Sequence, residues 1–107
     1  YGEKLMSHNE EFQRKAAEDR RLVILRFLDE EDDGLMSASL MQDALTMMAH
    51  RVSRAQVLED AAYLEKLGLL RIEYMGGVPL LRLTARGEEV ADGTAAAPGV
   101  KRPRRGE

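Results

Sequence analysis

The sequence predicts a mainly helical α+β domain that carries one small antiparallel hairpin, and three observations point there. Three stretches repeat apolar residues at three- and four-residue steps, each opened by a serine. The stretch "LLRIEYMGGVPLLRL" instead alternates around Gly76-Gly77. Only a few residues, His50 to Ser53, separate the second helical stretch from the third, so these two must cross steeply as a helix-turn-helix.

The first helix opens at Ser7 and Glu10, which have capping-box spacing, and places Ile24, Phe27 and Leu28 on one face. Asp29, Glu30, Glu31, Asp32 and Asp33 follow. Anions are unfavourable at the negative end of a helix dipole, so the helix should end near Asp29 with Gly34 closing the turn. The alternating ligand spacing of a calcium loop is missing from this run, so it reads as a solvated turn. Leu35 and Met36 suit a stub of strand. Ser37 or Ser39 then caps a second helix, with Gln42 completing a box from Ser39. Its Leu40, Met41, Ala44, Leu45 and Met48 read as core.

Ser53 and Gln56 open the third helix and Gly68 closes it. Val57, Ala61, Leu64 and Leu67 form its buried stripe. In the hairpin, a two-residue Gly76-Gly77 turn sets Met75 against Val78, Tyr74 against Pro79, Glu73 against Leu80, Ile72 against Leu81 and Arg71 against Arg82. Ile72, Tyr74, Leu81 and Leu83 then share the inner face, and a one-residue slip would expose them. Thr84 caps a short last helix, and Gly87 inside it points to a close approach by a neighbour.

Bulk properties set the remaining bounds. The chain has 107 residues, 44% of them hydrophobic, enough for one modest core. No run approaches the ~18 apolar residues of a membrane span, and no signal peptide opens it, so a cytoplasmic location is expected. Met6 reads as a natural start, which would make residues 1–5 a cloning remnant. With no cysteine, disulfides and thiolate metal sites are excluded. No nucleophile–base–orienter set and no phosphate-cradling loop stand out, so neither catalysis nor a cofactor or metal is expected. The expected organisation is a helical extension over 1–16, one domain over 17–93 and a flexible basic tail over 94–107.

Charge is unevenly spread. Lys101, Arg102, Arg104 and Arg105 against Glu107 give the tail +3, which leaves −6 on the rest of a chain whose net charge is −3. Nucleic-acid affinity comes largely from neutralised phosphates, so an acidic body must gather its cations on one face to bind DNA.

The third helix, "SRAQVLEDAAYLEKLGLL", resembles the recognition helix of ArsR- and MarR-type bacterial regulators, with Ser53 as cap, Val57 buried, Leu64 near the end and Gly68-Leu69 before the hairpin. "LTARGEEVA" is similar to the Leu-Thr-x-x-Gly start of the last helix in that superfamily. The resemblance implies a winged helix-turn-helix, with the hairpin as wing. More narrowly, "EDRRLVILRFL", "QDAL", "HRVSRAQV", "LGLL", "LTARGEEVA" and "PGVKRP" resemble small winged-helix proteins of Mu-like phages and prophages, over most of the chain from Ala17 to Pro103. Metal sensing of the ArsR type uses Cys or clustered His ligands. With no Cys and two distant His, it does not carry over.

On this reading the partner is double-stranded DNA, bound by a homodimer with the long first helix as dimer element. Arg51, Ser53, Arg54 and Gln56 would position and read the major groove, since Arg suits guanine O6 and N7 and Gln suits adenine N6 and N7. Glu59, Asp60 and Tyr63 are expected to face outward beside them, and the helix from 54 to 67 sums to −1. Arg71 and Arg82 would clamp phosphates, or Glu73 would screen the like-charged pair; both stay open. Lys101, Arg102, Arg104 and Arg105 would form a mobile arm along the backbone. The alternative is a protein-interaction module that kept the fold without reading DNA, which Glu59, Asp60 and the acidic body favour.

Overall fold

A computed structural model describes residues 2–104, with side chains from His8 onward. Four helices and three strands follow in the order α1 (Gly2–Glu30), β1 (Leu35–Ser37), α2 (Ala38–Met47), α3 (Arg54–Lys66), β2 (Leu70–Met75), β3 (Val78–Leu83) and α4 (Ala85–Asp92). The strands form one antiparallel sheet ordered β1-β3-β2. This is the winged helix-turn-helix layout, with α2 and α3 as the crossed pair and β2–β3 as the wing.

Local chemistry explains most of the boundaries. α1 begins at Gly2, well before the expected cap, so Ser7 lies inside a helix already under way. Strong helix formers around it leave no reason to start there. Its other end falls at Glu30, and Gly34 turns the chain with φ 65°. Ser37, not Ser39, caps α2, accepting from the Leu40 N–H at 3.1 Å. Gln42 therefore completes no capping box. Its amide donates to the Val52 carbonyl at 3.0 Å and ties α2 to the approach of α3. Ser53 caps α3 by accepting from Gln56 N, and Thr84 caps α4 by accepting from Gly87 N. The hairpin register is the one expected, from Met75 opposite Val78 to Arg71 opposite Arg82. Within that inner face Leu81 is fully buried, while Tyr74 near the tip is 69% exposed.

One core joins these elements. Ile24, Leu25 and Leu28 of α1 meet Met41 and Leu45 of α2, Val57, Ala61 and Leu64 of α3, Leu69, Leu70, Leu81, and Val90 of α4. Leu40 and Met48, expected in the core, are more than half exposed. Gly87 does permit a close approach, since a Cβ there would overlap the Leu69 carbonyl and crowd Leu83 Cδ1 at 2.7 Å. Thr84 reinforces that junction, donating its N–H to Leu69 O at 3.2 Å and its hydroxyl to Gly68 O at 2.7 Å.

The segment after Gly93 departs from expectation. Instead of moving freely, it returns across α1 and α3, and Ala95, Ala97 and Val100 pack on the core. The Lys101 N–H donates to Glu18 O at 3.1 Å, and the Tyr63 hydroxyl donates to Pro98 O at 2.9 Å. The physical reason is apolar: "AAAPGV" buries methyl groups that a polar tail would lack.

Candidate nucleic-acid interface

α3 presents two unlike faces because its stripe of Val57, Ala61 and Leu64 turns one side inward. Asp60 lies within that stripe and is 2% exposed. The expectation that Asp60 faces outward is overturned. Arg20 of α1 grips its carboxylate with Nε and, at 3.1 Å, with a terminal nitrogen. Arg21 Nε reaches the same group at 3.4 Å. A buried carboxylate needs such partners, because leaving it unpaired in low dielectric is costly. Tyr63 is also drawn in: the Arg21 guanidinium stacks 4.0 Å from its ring centroid, and the tail covers its hydroxyl. Arg21 further donates to Gly99 O at 2.9 Å. α1, α3 and the tail thus meet at one clamp.

The opposite side and the start of α3 stay open. Arg51, Ser53, Arg54, Ala55 and Glu59 are exposed, and Gln56 is half-buried. Arg54 is held rather than loose, donating Nε to Gln42 Oε1 at 3.0 Å and a terminal nitrogen to Ser39 Oγ at 3.1 Å. Both partners sit on α2, so the guanidinium is braced across the mouth of the helix-turn-helix. Glu65, which also lowered the charge of the helix, turns toward the wing and accepts the Ile72 N–H at 2.8 Å.

On the wing, Arg71 and Arg82 face each other as read. Arg82 Nε donates to Glu73 Oε1 at 2.7 Å, so Glu73 screens the like-charged pair. That hydrogen bond holds the Glu73 carboxyl below its ordinary value despite a smaller opposing effect of burial, and it raises Arg82 in turn. Arg71 is exposed. Among the described residues the wing tip is apolar, with Tyr74, Met75 and Val78 all exposed.

The tail cations divide. Lys101 Nζ lies 3.3 Å from Asp19 Oδ1 of α1. His50 Nε2, in the turn before α3, meets the other Asp19 oxygen at 2.7 Å. Burial raises the Asp19 carboxyl, but the hydrogen bonds from His50 and Lys101, aided by their charges, outweigh it and leave the group below its usual value. Arg102 is exposed and donates to Gly93 O at 3.3 Å, Arg104 is exposed, and Arg105 lies outside the described residues. The structure therefore gathers Arg51, Ser53, Arg54 and Gln56 at one place, pairs Arg71 with Arg82 at a second, and anchors Lys101 and Arg102 at a third.

A comparison with known proteins now bears on descent. The uncharacterized protein gp26 of Escherichia phage Mu is 42% identical over 87 residues, which cover 81% of this chain and 90% of that protein. The chain belongs to the gp26 family of phage Mu. No family model matches it. The phage ancestry expected from the sequence holds, while the link to a named winged-helix family rests on layout alone. Among the described residues, no helix of this gp26 relative is long and apolar enough to cross a membrane.

Proposed function

We propose that this protein binds double-stranded DNA as a regulator, in two copies, with the open start of α3 in the major groove. The observation that carries the reading is the burial of Asp60. The sequence counts −1 over residues 54–67, but that sum includes a carboxylate neutralised by Arg20 and Arg21 inside the fold. What a duplex would meet first is Arg51 and the braced Arg54, with Glu59 one turn further along. Arg54 is suited to a guanine edge, and its fixed geometry lowers the ordering cost of a bidentate contact. Arg71 on the wing, and the exposed Arg102 and Arg104 of the tail, would supply phosphate contacts. Two copies are part of the proposal because one short helix reads too few base pairs by itself.

The test is a mobility shift of the full chain on a random duplex at low salt. Binding at micromolar protein is expected, and three to four phosphate contacts should give a log–log salt slope of roughly −3 to −4. Absence of any shift would remove the proposal.

The second reading, a protein-interaction module on the same fold, is favoured by the exposed apolar side chains. Met47 is 83% exposed on α2, and the wing tip shows Tyr74, Met75 and Val78 where a minor-groove contact would want a cation. Loss of duplex binding on Tyr74→Ala and Met75→Ser would assign that tip to DNA contact and count against a protein partner there.

A further inference from the structure

Arg54 opens α3, and its guanidinium carries five N–H donors in one plane. α2 already takes two of them. Nε donates to Gln42 Oε1 at 3.0 Å, and Nη2 donates to Ser39 Oγ at 3.1 Å. Nε–H and the adjacent Nη2–H form the side edge of the group, so α2 occupies that edge. What remains is the end-on fork, made of both Nη1 hydrogens and the outer Nη2 hydrogen. The brace is itself fixed. Gln42 donates Nε2 to the Val52 carbonyl at 3.0 Å, which turns the amide so that its oxygen faces Arg54.

Neither bracing group is charged. Arg82 is tied to Glu73, and Arg20 and Arg21 to Asp60, so those guanidiniums share their charge with a carboxylate. Arg54 keeps its whole charge while its plane is held at two points. Such a restraint matters little for a phosphate, whose tetrahedral oxygens accept from many directions. It matters for two acceptors lying in one plane, and in the major groove guanine presents that pair as O6 and N7. Adenine sets a donor beside its N7, which would leave one arm of the fork against an amino group.

We propose that Ser39 and Gln42 are positioning residues that make the start of α3 selective for guanine, by taking the side edge of Arg54 and presenting its end-on fork to the base. This selectivity rests on the DNA-binding reading and deepens it, adding the base that is read and the two α2 residues that set the choice. Ser39 and Gln42 act through Arg54 and need touch no base themselves.

Selection by the full chain from a pool of duplexes with a randomised core should enrich guanine at a fixed position. On the selected duplex, 7-deazaguanine at that position replaces N7 with C–H and should weaken binding by about tenfold. Inosine there keeps O6 and N7 and lacks only the minor-groove amino group, so it should bind like guanine. Ser39→Ala and Gln42→Ala should each lower the preference for guanine over adenine by about three- to tenfold. Affinity for a random duplex, set by phosphates, should change by less than about twofold. Ser39 is exposed and Ser39→Ala keeps the bond from Gln42 to Val52, so it removes part of the brace without disturbing the helix crossing. Ser39→Thr retains the hydroxyl and should restore the preference. Selection without guanine, indifference to 7-deazaguanine, or equal losses on selected and random duplexes in the alanine variants would overturn the positioning role and leave the DNA reading standing. So would an unchanged guanine preference in both variants. No enrichment of any duplex would overturn both.

Discussion

Within α3, the turn that begins at Arg54 and the turn that holds Asp60 and Tyr63 have comparable polar chemistry and opposite surroundings. Arg54 is braced by neutral groups on α2 and keeps its charge in solvent. Asp60 is buried beneath two arginines, and its charge is cancelled within the fold. The contrast teaches that the net charge of a helix says little about what it shows a partner. A single carboxylate moved from surface to core changes which sign a duplex meets, while the composition stays the same.

The comparison breaks most easily at its buried end. Asp60→Ala leaves Arg20 and Arg21 facing a low-dielectric site unpaired, and chemical denaturation should show a loss of about 3–5 kcal/mol. Next comes the strap over that site. Gly99 has φ 76°, and a Cβ there would overlap the Tyr63 hydroxyl. Gly99→Ala should cost about 1–2 kcal/mol from the left-handed backbone alone, and trypsin should then cut faster after Lys101 as the strap lifts, the Arg102–Pro103 bond being resistant to it.

Two smaller effects sharpen the open end. Ala49, in the turn between α2 and α3, has φ 67°, so Ala49→Gly should raise stability by about 1 kcal/mol. Asp19 links that turn, through His50, to the strap, through Lys101. Its carboxyl is depressed in the folded protein, so its contribution is present above the unfolded value near 3.8 and is lost as pH falls through the lower folded value. Asp19→Asn should therefore destabilise at neutral pH by under about 1 kcal/mol after solvent screening, and the gap to the unmodified protein should close below about pH 3.8.

Much of the architecture was legible because short-range rules decide it. The Gly76-Gly77 turn permits one register, and Ser53 and Thr84 can cap only the helices they precede. The site was less legible, for two physical reasons. Asp60 was read by type, as a charged residue belonging outside. Its place between Leu64 and Leu67 on the helical wheel puts it inward, and the adjacent Arg20-Arg21 ahead of the apolar run was the matching signal. The strap was read by its prolines and cations, while Ala95, Ala97 and Val100 held the information that it docks. The bracing of Arg54 by Ser39 and Gln42 depends on the crossing of two helices, and no local pattern encodes it.

The central claim is that the open start of α3 reads a duplex while the buried half of the same helix serves the scaffold. Fluorescence anisotropy of the full chain and its Arg54→Ala variant, on a duplex selected for tight binding and on a random one, tests it most directly. The account predicts that Arg54→Ala weakens the selected duplex by about 1–3 kcal/mol, changes the random duplex far less and leaves the circular dichroism spectrum unchanged. Equal affinity of both proteins for the selected duplex, or no binding by either at micromolar concentration, would contradict it.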